Sequence, residues 1–262
     1  MNVVLFTVDE PLLNNPCVFR LCEELQGTIR GIVDCKGFHS RRRSIATALI
    51  LGPSGLARLA WRRVFRPQQS LSDHCRQNDL PYLQTDDINS QAVLDFCDTL
   101  EADAIVSLVL AQKIKKELLA RFPAINVHFA DLPNYRGIFP VFWALHEGEK
   151  RVGISAHEII QQFDKGKVIA RDYVEVKRGT GSFLPTMDSC FERTPALIAK
   201  ALGFLDPATR DDYALPEGRE EDGSYHSIPG LGDILRYHLN SDSEIDCAGS
   251  AAELGGDSGS GN

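Results

Sequence analysis

Short apolar segments alternate with amphipathic segments over the first two hundred residues. β-Branched and apolar runs predict strands at residues 2–8, 28–33, 80–85, 104–110, 125–128, 152–159 and 167–176. Helices are predicted from residue 14 and at 89–100, 112–120, 141–147 and 183–204, where apolar residues recur at helical spacing. Strands that alternate with helices form parallel sheets covered on both faces. We therefore expect an α/β protein with a doubly wound, mostly parallel sheet.

A basic segment interrupts this alternation at residues 36–66. It carries eight lysines and arginines and no acidic residue. Apolar stretches at residues 45–51 and 56–65 predict an inserted helical hairpin, broken at residues 52–55. The arginines are either solvated on an amphipathic surface element, or they form a docking surface for an anionic substrate or a membrane face.

The C-terminal part of the chain carries a weaker pattern. We expect one catalytic domain at residues 1–205, which includes the insert, and a small docked segment within residues 206–240. Residues 241–262 consist mostly of Ser, Gly, Ala and acidic residues, with no basic or aromatic residue. Such a composition cannot bury enough apolar surface to fold, so a disordered acidic tail is predicted.

Composition narrows the classes of function. The formal charge of −8 argues against a globally basic nucleic-acid binder. No apolar run is long enough to predict a transmembrane helix, and residues 1–6 read as a first strand rather than a signal peptide. The seven cysteines are scattered and form no metal-ligand spacing, which predicts reduced thiols, no metal site and a cytoplasmic protein. The first strand is not followed by a glycine-rich turn, which disfavours NAD or FAD binding there.

Two polar residues stand at the end of a predicted buried strand. Asn126 and His128 are two apart, and this spacing puts both side chains on one face of the strand. Open α/β sheets bind ligands at the carboxyl ends of their strands. An amide and an imidazole presented together there indicate acyl-group chemistry.

Four short motifs occur in order along this region. They are N-V-H at 126–128, L-P-N-Y-R-G at 132–137, G-I-S-A-H at 153–157 and F-D-K-G at 163–166. The set resembles the folate-dependent formyltransferase family, which includes glycinamide ribonucleotide, methionyl-tRNA and sugar N-formyltransferases. The resemblance implies a Rossmann-like fold and an enzyme that uses 10-formyltetrahydrofolate as its formyl donor.

The resemblance also implies roles for individual residues. The family's catalytic Asn, His and Asp fall on Asn126, His128 and Asp164. An amide N–H of Asn126 would bind the oxyanion, and His128 would carry a proton from the amine to the leaving group. Asp164 would fix the tautomer of His128 or hold a relay water. Binding roles are also implied: for the folate, Val109, Leu110, Ala111 and Phe163; for the acceptor, Tyr135, Arg136, Gly137 and His157.

The acceptor is predicted less sharply than the donor. The basic insert favours a small anionic amine, such as a nucleotide-linked amino sugar. His157 matches the ribonucleotide and sugar branches, whereas the tRNA branch commonly has methionine there. The alternatives are a methionyl-tRNA formyltransferase-like enzyme, a formyltetrahydrofolate hydrolase and a non-catalytic folate-binding protein. The acidic charge disfavours a nucleic-acid partner, although tRNA stays open, as does a homodimer.

Overall fold

The computed structural model describes residues 1–36, 41–66, 69–110, 112–176, 181–206, 208–210 and 223–240. The predicted tail at residues 241–262 therefore lies outside the described residues. So do residues 37–40 of the insert and residues 211–222 of the C-terminal segment.

A seven-stranded sheet forms the centre of the protein. Its strands are β1 (Val3–Thr7), β2 (Ile29–Cys35), β3 (Tyr82–Thr85), β4 (Ala104–Leu108), β5 (Ala124–His128), β7 (Arg151–Glu158) and β8 (Val168–Glu175). The spatial order is β3-β2-β1-β4-β5-β7-β8. The first five strands in this order are parallel, and β7 and β8 are antiparallel to their neighbours. The predicted mostly parallel sheet is confirmed.

Strands β1 and β4 are almost entirely apolar because both faces of the sheet are covered. In β1, Val3 and Leu5 belong to one hydrophobic cluster, while Val4 and Phe6 belong to a second cluster on the opposite face. This assignment follows the two-residue period of a strand. It explains why β1 and β4 were recognisable as continuous apolar runs.

Helices cover the two faces of the sheet. They are α1 (Asn14–Glu24), α2 (Arg41–Phe65), α3 (Leu71–Gln77), α4 (Gln91–Thr99), α5 (Lys116–Leu119), α6 (Pro140–His146), α7 (Phe183–Leu205) and α8 (residues 231–240). Two short strands, β6 (Arg136–Gly137) and β9 (Tyr225–His226), pair with each other outside the main sheet. None of the described helices combines the length and apolar character that crossing a bilayer requires.

Three helix predictions need correction. The insert contains two helical halves, as predicted, but the break between them is shorter than residues 52–55, because Gly52 alone has non-helical dihedral angles and Pro53 begins the second half of α2. The helix predicted at residues 112–120 shrinks to α5. Helix α3 was not predicted, since its sequence is mostly polar. Its start is fixed by Ser70, whose hydroxyl accepts a hydrogen bond from the Asp73 amide.

Helix α8 packs on the main body of the protein. In α8, Tyr237 is 2% exposed, and its hydroxyl lies 3.2 Å from the Ser182 hydroxyl. Its ring packs edge-on against Phe142 with centroids 5.4 Å apart. This tyrosine therefore joins the segment to α6 and to the start of α7.

Substituting Tyr237 tests this docking. We expect Tyr237→Ala to lower the free energy of unfolding by about 3–5 kcal/mol, because a large buried ring is removed. Tyr237→Phe should cost only about 0.5–1.5 kcal/mol, the usual value of one hydrogen bond. Leu239→Ala is the control, since Leu239 is exposed on the same helix. Urea unfolding measures all three, and equal losses for the two alanine variants would contradict the docking.

Candidate active site

The pairing of β5 with β7 determines which side chains meet at the candidate site. In this antiparallel register, Asn126 stands opposite His157, and His128 stands opposite Ser155. The Asn126 amide nitrogen lies 3.2 Å from Nε2 of His157. Asn126 is thus held by a side chain of the neighbouring strand.

His157 is a buried, neutral imidazole. Its Nδ1 lies 3.0 Å from the carbonyl oxygen of Glu158, so Nδ1 carries the hydrogen and donates it. Nε2 is then the acceptor, and it receives a hydrogen bond from the Asn126 amide. Burial lowers the pKa of His157 to about 4, which keeps the ring uncharged near neutral pH. His157 therefore fixes which end of the Asn126 amide is the nitrogen.

His128 is held by the loop that follows β5. Its Nε2 lies 3.0 Å from the carbonyl oxygen of Tyr135, which only accepts, so Nε2 carries the hydrogen. Nδ1 is left as the basic nitrogen of the ring. It lies 3.9 Å from Oδ1 of Asp164. The tautomer of His128 is thus set by a backbone carbonyl, not by the carboxylate.

Asp164 reaches the site from the loop between β7 and β8. Its backbone φ is +51°, an uncommon conformation for a residue with a side chain. Oδ2 accepts a hydrogen bond of 3.0 Å from the Gly137 amide, while Oδ1 lies 3.7 Å from Nε2 of His157. The carboxylate is therefore anchored by one oxygen and presents the other to both imidazoles.

These side chains open onto a cavity of about 440 Å³. Asn126, His128 and Asp164 all line it. Its remaining walls are mostly apolar or backbone, with one arginine: Arg43, Val109, Leu110, Val127, Phe129, Gly137, Ile138, Phe139, Pro140, Phe163, Met187, Phe191 and Tyr225. A smaller cavity lies on the other side of Phe163 and Asp164 and is also lined by Asn126 and His157. Asn126 and Asp164 thus line both cavities, whereas His128 lines the larger one.

The residues predicted to contact folate stand at this junction. Leu110 and Phe163 line both cavities, and Val109 lines the larger one with a backbone φ of +58°. Ala111 lies outside the described residues.

The residues predicted to frame the acceptor divide into two groups. Gly137 lines the larger cavity, and His157 lines the smaller one. The side chains of Tyr135 and Arg136 line neither cavity. The Tyr135 hydroxyl donates towards Glu147, and burial, with that carboxylate, raises the pKa of Tyr135. Arg136 donates to the carbonyl of Gly223. Both side chains therefore stabilise the loop and do not form part of the cavity wall.

Several cavity residues were not predicted as site residues, although Arg43 belongs to the basic insert that favours an anionic acceptor. They are Arg43 from α2, Phe139 from the loop before α6, Met187 and Phe191 from α7, and Tyr225 from β9. They come from distant parts of the chain, and only the fold brings them together. Over the described ranges, no three His, Cys, Asp or Glu side chains gather into a set that could hold a metal ion.

A family comparison covers the residues that build this site. The family model described as "Formyl transferase" matches residues 55–188, about half of the chain. The chain belongs to the formyl transferase family. Asn126, His128, His157 and Asp164 all lie inside the matched range.

Curated members of the formyl transferase family match only over part of their length. A methionyl-tRNA formyltransferase from Finegoldia magna is 40% identical over 91 residues, which is 34% of this chain and 29% of that protein. The chain therefore spans less than a third of the length of this relative.

Two solved structures share the fold. A sugar N-formyltransferase from a Shewanella species superposes with a TM-score of 0.55 at 15% identity, covering 90% of this chain and 87% of that one. WlaRD, a sugar 3N-formyltransferase crystallised with dTDP and 5-N-formyl-THF, gives a TM-score of 0.55 at 14% identity, covering 92% and 79%. At these identities the likeness establishes the Rossmann-like formyl transferase fold.

Gly137 is the glycine on which the loop geometry depends. Its φ is +99°, and a Cβ at this position would lie 2.2 Å from the His226 carbonyl oxygen. We expect Gly137→Ala to lower the free energy of unfolding by more than the roughly 1–3 kcal/mol of backbone strain alone. Gly148→Ala is the matched control, because Gly148 has a φ of +80° but open space around its Cβ. Equal losses in urea unfolding would contradict this account.

His157 predicts a pH dependence of stability. Its pKa is lowered to about 4 in the folded protein and is about 6.5 when unfolded, so the unfolded state binds the proton more readily. Its stabilising contribution is therefore full above pH 6.5 and is lost as the pH falls towards 4. Wild-type protein should lose stability over this range more steeply than His157→Gln, measured by urea unfolding at several pH values. Parallel curves would contradict a buried neutral His157.

Proposed function

We propose that this protein transfers a formyl group from 10-formyltetrahydrofolate to the primary amine of a small anionic acceptor. One observation carries the proposal. The Asn126 amide, the free Nδ1 of His128 and the Asp164 carboxylate converge on one cavity, within the range that matches the formyl transferase family.

The reaction needs one proton transfer and one oxyanion site. The amine nitrogen attacks the formyl carbon, and negative charge develops on the formyl oxygen. The bond from that carbon to N10 of the donor then breaks, and N10 leaves with a proton that the amine has lost. The products are a formamide and tetrahydrofolate, and nothing is oxidised or reduced.

Asn126 is suited to hold the oxyanion. One of its amide hydrogens is directed to His157, and a second remains for the cavity. The contact with His157 prevents the amide from turning its oxygen into that position. His157 is therefore a positioning residue in this proposal. Removing a preorganised donor of this kind costs about 10²- to 10³-fold in rate.

His128 is suited to move the proton. Its Nε2–H is engaged by the Tyr135 carbonyl, so Nδ1 is the nitrogen that accepts a proton from the amine and returns it to N10. Asp164 stabilises the imidazolium that forms between these steps. Nδ1 of His128 and Oδ1 of Asp164 are 3.9 Å apart, which is too far for a direct hydrogen bond. In this proposal a water molecule or the substrate connects them.

The smaller cavity suits the flat heterocycle of the donor. Apolar Leu110, Ile114 and Ile159 line it together with polar Ser107 and Gln162. A pterin presents two apolar faces and a polar edge, which this lining matches. Lys113 lies near the Phe163 ring, where an anionic tail of the donor would pass. WlaRD was crystallised in the presence of 5-N-formyl-THF, a close chemical relative of the proposed donor.

The larger cavity suits the acceptor. Arg43 is its one arginine, and the rest of the lining is mostly apolar or backbone. An arginine there favours phosphate or carboxylate groups, for which its planar fork of donors is suited. This supports an anionic amine such as a nucleotide-linked amino sugar. A cytoplasmic location stays part of the prediction.

A second candidate is formylation of methionyl-tRNA. It is favoured by the curated relatives, which are methionyl-tRNA formyltransferases. The chain covers only part of their length, so the shared segment supports the formyl-transfer step more strongly than the choice of acceptor.

An activity assay tests both candidates. The protein is mixed with 10-formyltetrahydrofolate and, separately, with dTDP-linked amino sugars, methionyl-tRNA or buffer alone, and the release of tetrahydrofolate is measured. We expect amine-dependent release with an amino sugar. Release with tRNA alone would assign the second candidate, and release in buffer alone would indicate a hydrolase. No release with any acceptor would leave a non-catalytic folate-binding protein and contradict the proposal.

Substitutions then connect the activity to the trio. His128→Gln should lower kcat by about 10²- to 10⁴-fold, and Asn126→Ala by about 10²- to 10³-fold. His74→Gln is the control, since His74 is also buried but stacks on Phe19 away from the cavity. A wild-type rate in His128→Gln would show that the proton takes another route.

A further inference from the structure

Helix α2 presents an apolar face to the outside of the protein. In its second half, Trp61, Val64 and Phe65 are 54%, 72% and 67% exposed, and Leu56 is also exposed. On the opposite side, Gly55 is buried and Leu59 packs against the core. With 100° between successive residues, the four exposed apolar residues lie together on the side directed away from the core.

Arginines flank this apolar face. Arg58 and Arg63 are exposed and fall on either side of it at helical spacing. Arg62 points back to the protein, where it pairs with Asp188. From residue 41 to residue 66 the chain carries seven arginines and no acidic residue, although the whole chain has a formal charge of −8. An apolar centre with cationic flanks is the pattern of helices that lie in a membrane interface.

The first half of α2 also carries exposed apolar residues. Ile45 and Leu49 are exposed, and both line a groove of about 590 Å³ with Leu231 and Ile234 of α8. Ile138 lines this groove and also the cavity of the candidate active site. This groove therefore adjoins the larger cavity.

We propose that α2 binds the surface of an anionic lipid bilayer through this apolar face and its flanking arginines. Aliphatic and aromatic side chains contribute favourable free energy when they leave water for the boundary between headgroups and acyl chains. Arginines at the flanks contact lipid phosphates. A polyanion such as RNA would use the arginines but gain little from exposed Val64 and Leu56. A second copy of this face would bring arginines against arginines, with no acidic residue on the helix to pair with them.

Flotation with vesicles tests the proposal on the full chain. Phosphatidylcholine vesicles are compared with vesicles that also contain phosphatidylglycerol. We expect binding that requires the anionic lipid and weakens as salt rises. Trp61→Ser with Phe65→Ser, and separately Arg58→Gln with Arg63→Gln, should each weaken binding by about tenfold or more. The matched charge control is Arg30→Gln with Arg151→Gln, two exposed arginines outside α2, and it should leave binding nearly unchanged.

Tryptophan fluorescence gives an independent readout. The chain has two tryptophans, so Trp143→Phe leaves Trp61 as the only one. Its emission should shift to shorter wavelength on anionic vesicles and be quenched by brominated lipid. Because the serine and glutamine variants change exposed residues, their thermal melting measured by circular dichroism should match that of the wild type. Neither measurement depends on formyl transfer, so failure of the proposed function would not affect them.

Three outcomes would overturn the proposal. The first is no flotation of the wild type with anionic vesicles. The second is anionic binding that the Trp61→Ser, Phe65→Ser variant retains, which would indicate a general polyanion site. The third is a wild-type dimer in light scattering that the same variant dissociates, which would assign the face to a second copy of the chain.

Discussion

The site depends on the antiparallel register between β5 and β7. This register sets Asn126 opposite His157 and sends the chain after β7 back towards β5, which returns Asp164 to the imidazole of His128. A slip by one residue would turn every side chain of β5 to the other face of the sheet. The buried residues on both faces of the sheet therefore fix the strand register, and the register in turn fixes the positions of the site residues.

The two imidazoles and the carboxylate of the site are each oriented by a backbone group that cannot change its role as donor or acceptor. Two backbone carbonyls, those of Tyr135 and Glu158, fix the hydrogens of His128 and His157, because a carbonyl only accepts. The Gly137 amide fixes one oxygen of Asp164. Such preorganised dipoles need little rearrangement during a reaction, which is the condition under which they are most effective. The geometry suits a proton transfer at Nδ1 of His128 next to the fixed amide of Asn126.

The sequence predicted the local features well and the distant ones poorly. Continuous apolar runs identified the central strands, and the two-residue period alone put Asn126 and His128 on one face. The meeting of Asp164 with His128 depends on a hairpin pairing that no local pattern specifies, and it was expected only from a family resemblance. Tyr135 and Arg136 belong to a motif that was predicted to frame the acceptor, but their side chains stabilise the loop and do not line the cavity. Arg43 belongs to the basic insert, whose charge pointed to an anionic acceptor, but its position at the cavity depends on long-range packing, as does that of Tyr225.

The hydrogen-bonding state of His128 tests the account most directly. Two-bond ¹⁵N–¹H NMR correlations on protein with ¹⁵N-labelled histidine distinguish the two neutral tautomers of a ring, and His128→Gln assigns the signal. The account predicts that neutral His128 carries its hydrogen on Nε2, where the Tyr135 carbonyl accepts it, and that Nδ1 carries none. A neutral His128 with its hydrogen on Nδ1 would contradict it, since the basic nitrogen would then face the Tyr135 carbonyl instead of the cavity.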